Sequence, residues 1–258
     1  MIARSQVVWT AFGAAALVFL LSPLVLVVFF SLSENANATF PPGGMTLHWY
    51  DVLFGNPDFW KALGNSAIIT LCVGLVSMIS GTLAAMALAR SGPKVANGVI
   101  ALVTMPIMLP PLVLALALAT GYSSLGLPLG LATVIPSHLV FTQPFVILVV
   151  YAQMSGFNMA ILDSARDLGA GPWTIFRTVI LPIIRPTLIG ATLMAMAVSL
   201  DDFIITYFTI GGGMTLPTMI WGMLRKALDP SINALGSLVL VATIGTSLLA
   251  LRLTRYRG

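Results

Sequence analysis

The chain is 258 residues long, 58% hydrophobic and only 8% charged, with a mean hydropathy of +1.01. Soluble domains carry about 25% charged residues, so this sequence lacks the polar surface that water requires; it is an integral membrane protein. The formal net charge of +4 fits basic cytoplasmic loops, and with no Lys/Arg cluster interleaved with aromatics a nucleic-acid partner is set aside. The single cysteine, Cys72, can form no intrachain disulfide and has no histidine near it in sequence, so no metal site is expected.

A helix needs about 20 apolar residues to cross a bilayer core. Six stretches qualify: 7–31, 62–89, 95–121, 134–154, 188–208 and 232–251. The expected fold is therefore all-α, a polytopic bundle of six transmembrane helices forming a single domain over 1–258. The first span follows a short basic start. Its apolar run exceeds the roughly 7–15 residues of a signal peptide, and no A-x-A-like site precedes Glu34, so it reads as a retained anchor.

With the N-terminus inside, Arg4, Arg90, Lys94, Arg166, Arg177, Arg185, Arg252, Arg255 and Arg257 all fall in the cytoplasm. Only Lys61, Arg225 and Lys226 fall outside, a strong positive-inside bias that makes both termini cytoplasmic. The larger outer loops are then 32–61 and 210–231. The first holds Trp49, Tyr50 and Trp60, aromatics suited to a segment lying along the membrane surface. No internal repeat and no soluble domain is apparent.

Within the second span, Ser77, Gly81 and Ala85 recur at four-residue spacing, a small face that admits a neighbouring backbone. The third contains Pro106, Pro110 and Pro111, each of which removes a backbone donor and bends the helix. The bend either lines a water-filled path or is a buried kink, and Met105 and Met108 beside it read as gap fillers.

Between the fourth and fifth spans the chain writes a polar island over 158–186, NMAILDSARDLGAGPWTIFRTVILPIIRP. Asn158 is placed to cap a helix over 159–168, and Gly169 to close it in the left-handed conformation. Gly171-Pro172 starts a second helix, with Trp173, Phe176 and Ile180 near one face and Pro182 and Pro186 ending it. Asp163 and Asp167 lie one turn apart with Arg166 beside them. A mere connector needs far fewer residues and no exposed tryptophan, so the island reads as a docking element for a cytoplasmic partner.

DSARDLGAGPWTIFRTVILP resembles the cytoplasmic "EAA" loop of the permease subunits of binding-protein-dependent ABC importers. That pattern is EAA, three residues, Gly, nine residues, Ile, any residue, Leu-Pro. Asp163, Ser164 and Ala165 stand at the EAA positions, Gly169 matches the glycine, Val179 stands for the isoleucine, and Leu181-Pro182 match the end. The substitutions keep charge or size, and the resemblance extends over most of the chain.

The resemblance implies that Asp163, Ser164, Ala165, Arg166, Asp167, Leu168, Gly169 and Ala170 couple to an ATP-binding subunit. Trp173, Phe176, Leu181 and Pro182 would support the loop, which spans 155–187. The implied partners are an ATP-binding subunit dimer, a second permease subunit expected to be a different chain, a periplasmic or extracellular solute-binding protein, and the bilayer of a bacterial inner membrane. No G-x-x-x-x-G-K-[ST] occurs, so this chain is not an enzyme; ATP and Mg would be used by the partner ATPase, and no cofactor is bound here.

Asp201 and Asp202 stand at the end of the fifth span in AVSLDDFIITYF. Carboxylates inside a membrane segment cost about 2.5–3.5 kcal/mol and need partners. Either they line the path of a cationic substrate, or one caps a broken helix or pairs with a partner's arginine. SLDDF, the glycines at 211–213, the following TLP and Asn233-Ala234-Leu235 are similar to the polyamine-type branch, the spermidine/putrescine permeases. Related branches carry opines and aminophosphonates, which makes the amine class the firmer expectation.

Tyr207 is placed with the substrate path, and with Phe208 and Trp221 it forms either an apolar gate or an interfacial aromatic belt. His48 and His138 read as hydrogen-bonded surface or helix-end residues, and Arg225, Lys226 and Asp229 as a small charged cluster in the last outer loop. A self-sufficient secondary carrier would spread charges over several spans and need no docking loop. An intramembrane enzyme would need a His or Glu beside Asp201 and Asp202, and none is expected there.

Overall fold

Helices make up the regular structure of the computed structural model, apart from an isolated bridge between Ser33 and Met45. It describes residues 2–35, 39–40, 43–226 and 230–255, and side chains within them except those of 2–5, 159, 226 and 246–255. Arg257 and Asp229 lie outside the described residues, as do the side chains of Arg4, Lys226, Arg252 and Arg255. Of the expected outer cluster only the Arg225 side chain is therefore described; its guanidinium lies 5.5 Å over the Trp221 ring.

Two compact units divide the chain. The first comprises Met1–Trp60 and Met219–Ser247. Its longest element is α1 (Ile2–Ser31), of which Gln6–Ser31 is strongly apolar and, over an 18-residue stretch, has no buried residue. A helix greasy on all sides is stable where lipid surrounds it. Past its end, Trp49 on the short α2 (His48–Phe54) donates its indole N–H to the Ser33 carbonyl at 2.7 Å. The Tyr50 hydroxyl lies 2.8 Å from Ser31 Oγ and 2.6 Å from Ser237 Oγ on the final helix. The outer aromatics Trp49 and Tyr50 are thus half-buried tethers, while Trp60 is exposed and caps the Phe54 carbonyl.

The second unit comprises Lys61–Thr218 and Leu248–Gly258. It contains most of α3 (Pro57–Ala89), then α4 (Pro93–Met108) and α5 (Pro111–Ser124). These last two were expected to form one span over 95–121. They meet instead at 99°. Leu109, held extended at φ −78° and ψ 142°, precedes Pro110 and Pro111, and the proline ring disfavours helix at the residue before it.

Next come α6 (Leu131–Ser155), α7 (Met159–Asp167) and α8 (Pro172–Ile175). A π-turn over Phe176–Ile180 leads without interruption into α9 (Leu181–Asp201). Pro182 and Pro186 therefore do not end the island's second helix, as the sequence led us to expect. The π-turn inserts an extra residue, so the Leu181 amide reaches the Phe176 carbonyl five residues back, and the helix continues through both prolines. The continuous run Pro172–Asp201 is 30 residues long.

The fifth span was expected to reach 208, but α9 stops at Asp201. Asp202 is extended, and a separate short α10 (Ile204–Thr209) follows. The chain closes with α11 (Leu216–Lys226) and α12 (Ser231–Arg255). Among the described residues four helices are long and apolar enough to cross a membrane, or five when the bent α4–α5 pair counts as one span. Ser231–Gly245 of α12 is a shorter apolar helix beside the six spans read from sequence.

The core of the second unit lies along α6, the π-turn and α9, where Val146, Val150 and Met154 share a cluster with Ile180, Ile184, Leu188 and Ala191. Gly81 of the small-residue face sits against this seam: a Cβ there would stand 2.7 Å from Val146 Cγ1. On the other side α5 and α10 pack through Leu114, Ala115 and Ile205.

Candidate functional site

The polar island folds as a capped helix. The Asn158 side chain accepts from the Ala160 amide at 3.0 Å, which answers one orphan donor at the start of α7. At the other end the Gly169 amide donates to the Arg166 carbonyl at 2.8 Å and the Ala170 amide to the Ala165 carbonyl at 3.0 Å. These are the two bonds of a Schellman cap, and they require the φ of +80° that Gly169 adopts. Pro172 then occupies the first turn of α8, where no donor is missed.

This short element has two unlike faces. Leu162 is fully buried, with Ile175 and Ile180 in the same core and Ala165, Ala170, Phe176 and Leu181 packed against it. Outward, Leu168 is 89% exposed and Trp173, stacked on Phe176 at 5.5 Å, is 70% exposed. Pro182 is exposed as well. Arg166 pairs with Asp163 at 2.7 Å on the open face, which also carries Ser164 and Asp167. An exposed leucine and tryptophan beside charged residues make a surface that a protein partner can cover.

A second polar locus lies at the break between α9 and α10, and here the two aspartates part company. Asp201 is exposed. Asp202 is largely buried, and its Oδ2 accepts from the Thr206 amide at 2.8 Å, which caps the new helix. Of the alternatives open in the sequence, helix capping describes Asp202. Tyr207, partly exposed, packs against Phe203 and Phe208 at ring distances of 5.4 Å.

His138 corrects the reading of the sequence. Expected at a surface or helix end, it sits inside α6 at 1% exposure. Its Nδ1 lies 2.8 Å from Ser199 Oγ, its Nε2 2.9 Å from Thr206 Oγ1 and 3.4 Å from Asp202 Oδ2. A histidine does stand beside Asp202. The signal was present, since an ionisable residue within an apolar span marks function by default. By contrast His48 is exposed, edge-on to Trp49. A small cavity joins these groups, lined by Ser66, Thr70, His138, Ser199, Asp202 and Thr206 among others. The returning segment is pinned beside it, with Ser66 Oγ accepting from the Leu216 amide and Asn65 donating to the Met214 carbonyl.

The sequence pattern of the family described as binding-protein-dependent transport system inner membrane component matches residues 77–256. The chain belongs to this family. That match contains both the capped island and the broken helix. It makes the protein a multi-pass inner-membrane transport subunit rather than an enzyme.

Among relatives of this transport component is the putrescine transport system permease protein PotI of Escherichia coli K12, 32% identical over 87% of this chain and 82% of the relative. The spermidine/putrescine transport system permease protein PotC of the same strain is 31% identical over 78% of this chain and 76% of its own length. PotC of Haemophilus influenzae is 28% identical over 95% of both chains. In fold, the chain resembles a subunit of a bacterial ABC transporter involved in import of the acidic polysaccharide alginate. The TM-score is 0.74 at 18% identity, over 99% of this chain and 97% of the other. The methionine ABC transporter MetNI in an inward-facing form gives 0.60 at 19% identity, over 82% and 99%.

Proposed function

We propose that this family member is the permease subunit of an ATP-driven importer for a small cationic amine, a polyamine such as putrescine or spermidine. The observation that carries the substrate class is the pair of carboxylates at the interrupted α9, in a chain whose long matches are to polyamine permeases. A carboxylate at membrane depth lowers the barrier to a passing ammonium group. The exposed Asp201 is the stronger candidate for direct contact, with Asp202 and Tyr207 beside it.

In this reading the whole of 1–258 works as one permease domain with both termini in the cytoplasm. The turn from Asp163 to Ala170 seats in a separate ATP-binding subunit, which uses ATP and Mg. Leu162 and Ile175 root that turn in the α6–α9 core, so closure of the ATPase moves α9 as a rigid lever. A second, different permease chain and a solute-binding protein complete the importer.

The test is reconstitution of the chain with its co-purifying ATPase, sister permease and binding protein in proteoliposomes. ATP-dependent uptake of labelled putrescine or spermidine, lost on Asp201→Asn with assembly intact, is the expected result. Uptake of an opine, an aminophosphonate or an amino acid in place of either amine overturns the substrate assignment.

A further inference from the structure

We propose that His138 is a positioning residue: it clamps the two ends of the α9–α10 break and holds the Asp202 carboxylate in place for transport. This rests on the reading of the break as part of the substrate path. The need for a clamp follows from the backbone. Asp202 leaves helical geometry at φ −69° and ψ 122°, so the last carbonyls of α9 and the first amides of α10 lose their ladder partners. At membrane depth such groups are costly unless protein or water answers them. The Asp202 carboxylate answers the Thr206 amide, and the Phe203 carbonyl answers that of Tyr207 at 2.8 Å.

One imidazole, projecting from a different helix, touches both sides of the gap. Ser199 belongs to α9 and Thr206 to α10, and His138 lies between them at 2.8 and 2.9 Å. The chemistry of the donors fixes the direction of the chain. The Thr206 hydroxyl lies 3.2 Å from both the Asp202 carbonyl oxygen and Asp202 Oδ2, and its single proton goes to that pair of acceptors. Its oxygen then accepts from His138 Nε2–H, and Nδ1 accepts from the Ser199 hydroxyl. The resulting series runs Ser199, His138, Thr206, Asp202, every donor aimed toward Asp202.

The surroundings keep the ring in this pose. Phe141 packs on the imidazole at 5.3 Å, and the neighbouring Ser137 is bound to the Tyr122 hydroxyl at 3.0 Å. Among the described residues no other charged or titratable side chain lines the cavity. Thr70, 8% exposed and lining the same space, has a hydroxyl with no partner, so the cavity retains unused polar capacity on the side of α3. Without the clamp, Asp202 keeps its bond from the Thr206 amide but loses the support of the imidazole against the pull of that capacity.

The test uses the assembled importer with His138→Leu, which keeps volume without hydrogen bonds, and His138→Gln, whose amide N–H can take the place of Nε2–H. Two quantities are read: backbone hydrogen exchange over 203–209, and KM and Vmax for labelled putrescine. With His138→Leu, exchange and KM both rise by up to about tenfold, the upper end for one lost hydrogen bond between neutral groups, while Vmax stays within about twofold. His138→Gln restores both. Exchange over 203–209 that is unchanged in His138→Leu, or a defect that Gln does not repair, overturns the clamp. Accelerated exchange with unaltered KM leaves the clamp standing and removes Asp202 from the path. Wild-type importer that takes up no amine defeats the proposed function alone, since exchange still reports on His138.

Discussion

The Ala170 amide reaches back over Gly169 to the Ala165 carbonyl at 3.0 Å, and this bond shapes the turn we propose as the coupling element. Nothing stands within 4 Å of where a Gly169 Cβ would be, so a side chain there meets no clash, only the cost of a φ of +80°. That cost is about 1–2 kcal/mol for ordinary residues and smaller for Asn.

Gly169→Val is therefore expected to lower transport-coupled ATP hydrolysis of the importer sharply, while Gly169→Asn keeps most of it. Both should leave the melting temperature of the α6–α9 core little changed. Equal loss in the two variants would mean that bulk at the docking surface, rather than backbone geometry, is what matters.

The Asp163–Arg166 pair tests whether this element works for stability or for docking. Its members are 65% and 58% exposed, and solvated pairs of this spacing contribute about 0.2–0.5 kcal/mol. Asp163→Asn should leave thermal unfolding almost unmoved yet weaken retention of the ATPase on an affinity column. A large drop in melting temperature with full ATPase retention contradicts the docking role.

Asp201 and Asp202 should separate cleanly. Asp202→Ala removes the cap on Thr206 and is expected to cost about 0.5–2 kcal/mol of stability. Asp201→Ala, on an exposed side chain, should leave stability within about 0.5 kcal/mol and act on uptake alone. Thermal unfolding of the two purified variants side by side checks the contrast.

Gly211 offers a test of the return segment. It has a φ of +63°, and a Cβ there would lie 2.7 Å from the Leu129 carbonyl oxygen. Strain and overlap together make Gly211→Ala destabilising by at least about 2 kcal/mol. Gly212→Ala, with nothing within 4 Å, should be neutral, so melting curves of the pair isolate the contact.

What could be read along the chain was local. Asn158, Gly169 and Pro172 announce a capped helix, a left-handed stop and a fresh start because each acts within a few residues of itself. The bend at 109–111 was visible as proline chemistry, though its angle was not. The prolines at 182 and 186 misled, because a π-turn upstream shifts the bonding pattern and nothing in FRTVI declares one. The end of α9 was legible only as one alternative: an aspartate of SLDDF could cap a broken helix, and Asp202 does so through the Thr206 amide, but nothing in the residues alone excluded a span running on to 208.

Composition and short-range backbone preference were sufficient to establish a lipid-embedded helical protein with a stiff polar elbow, since both act through solvent and nearest neighbours. The meeting of His138 with Ser199 and Thr206, 61 and 68 residues further on, belongs to the tertiary structure alone. Only the packing of α6 against α9 and α10 brings those hydroxyls to one ring, and a hydrogen bond over such a separation leaves no periodicity for a sequence to show.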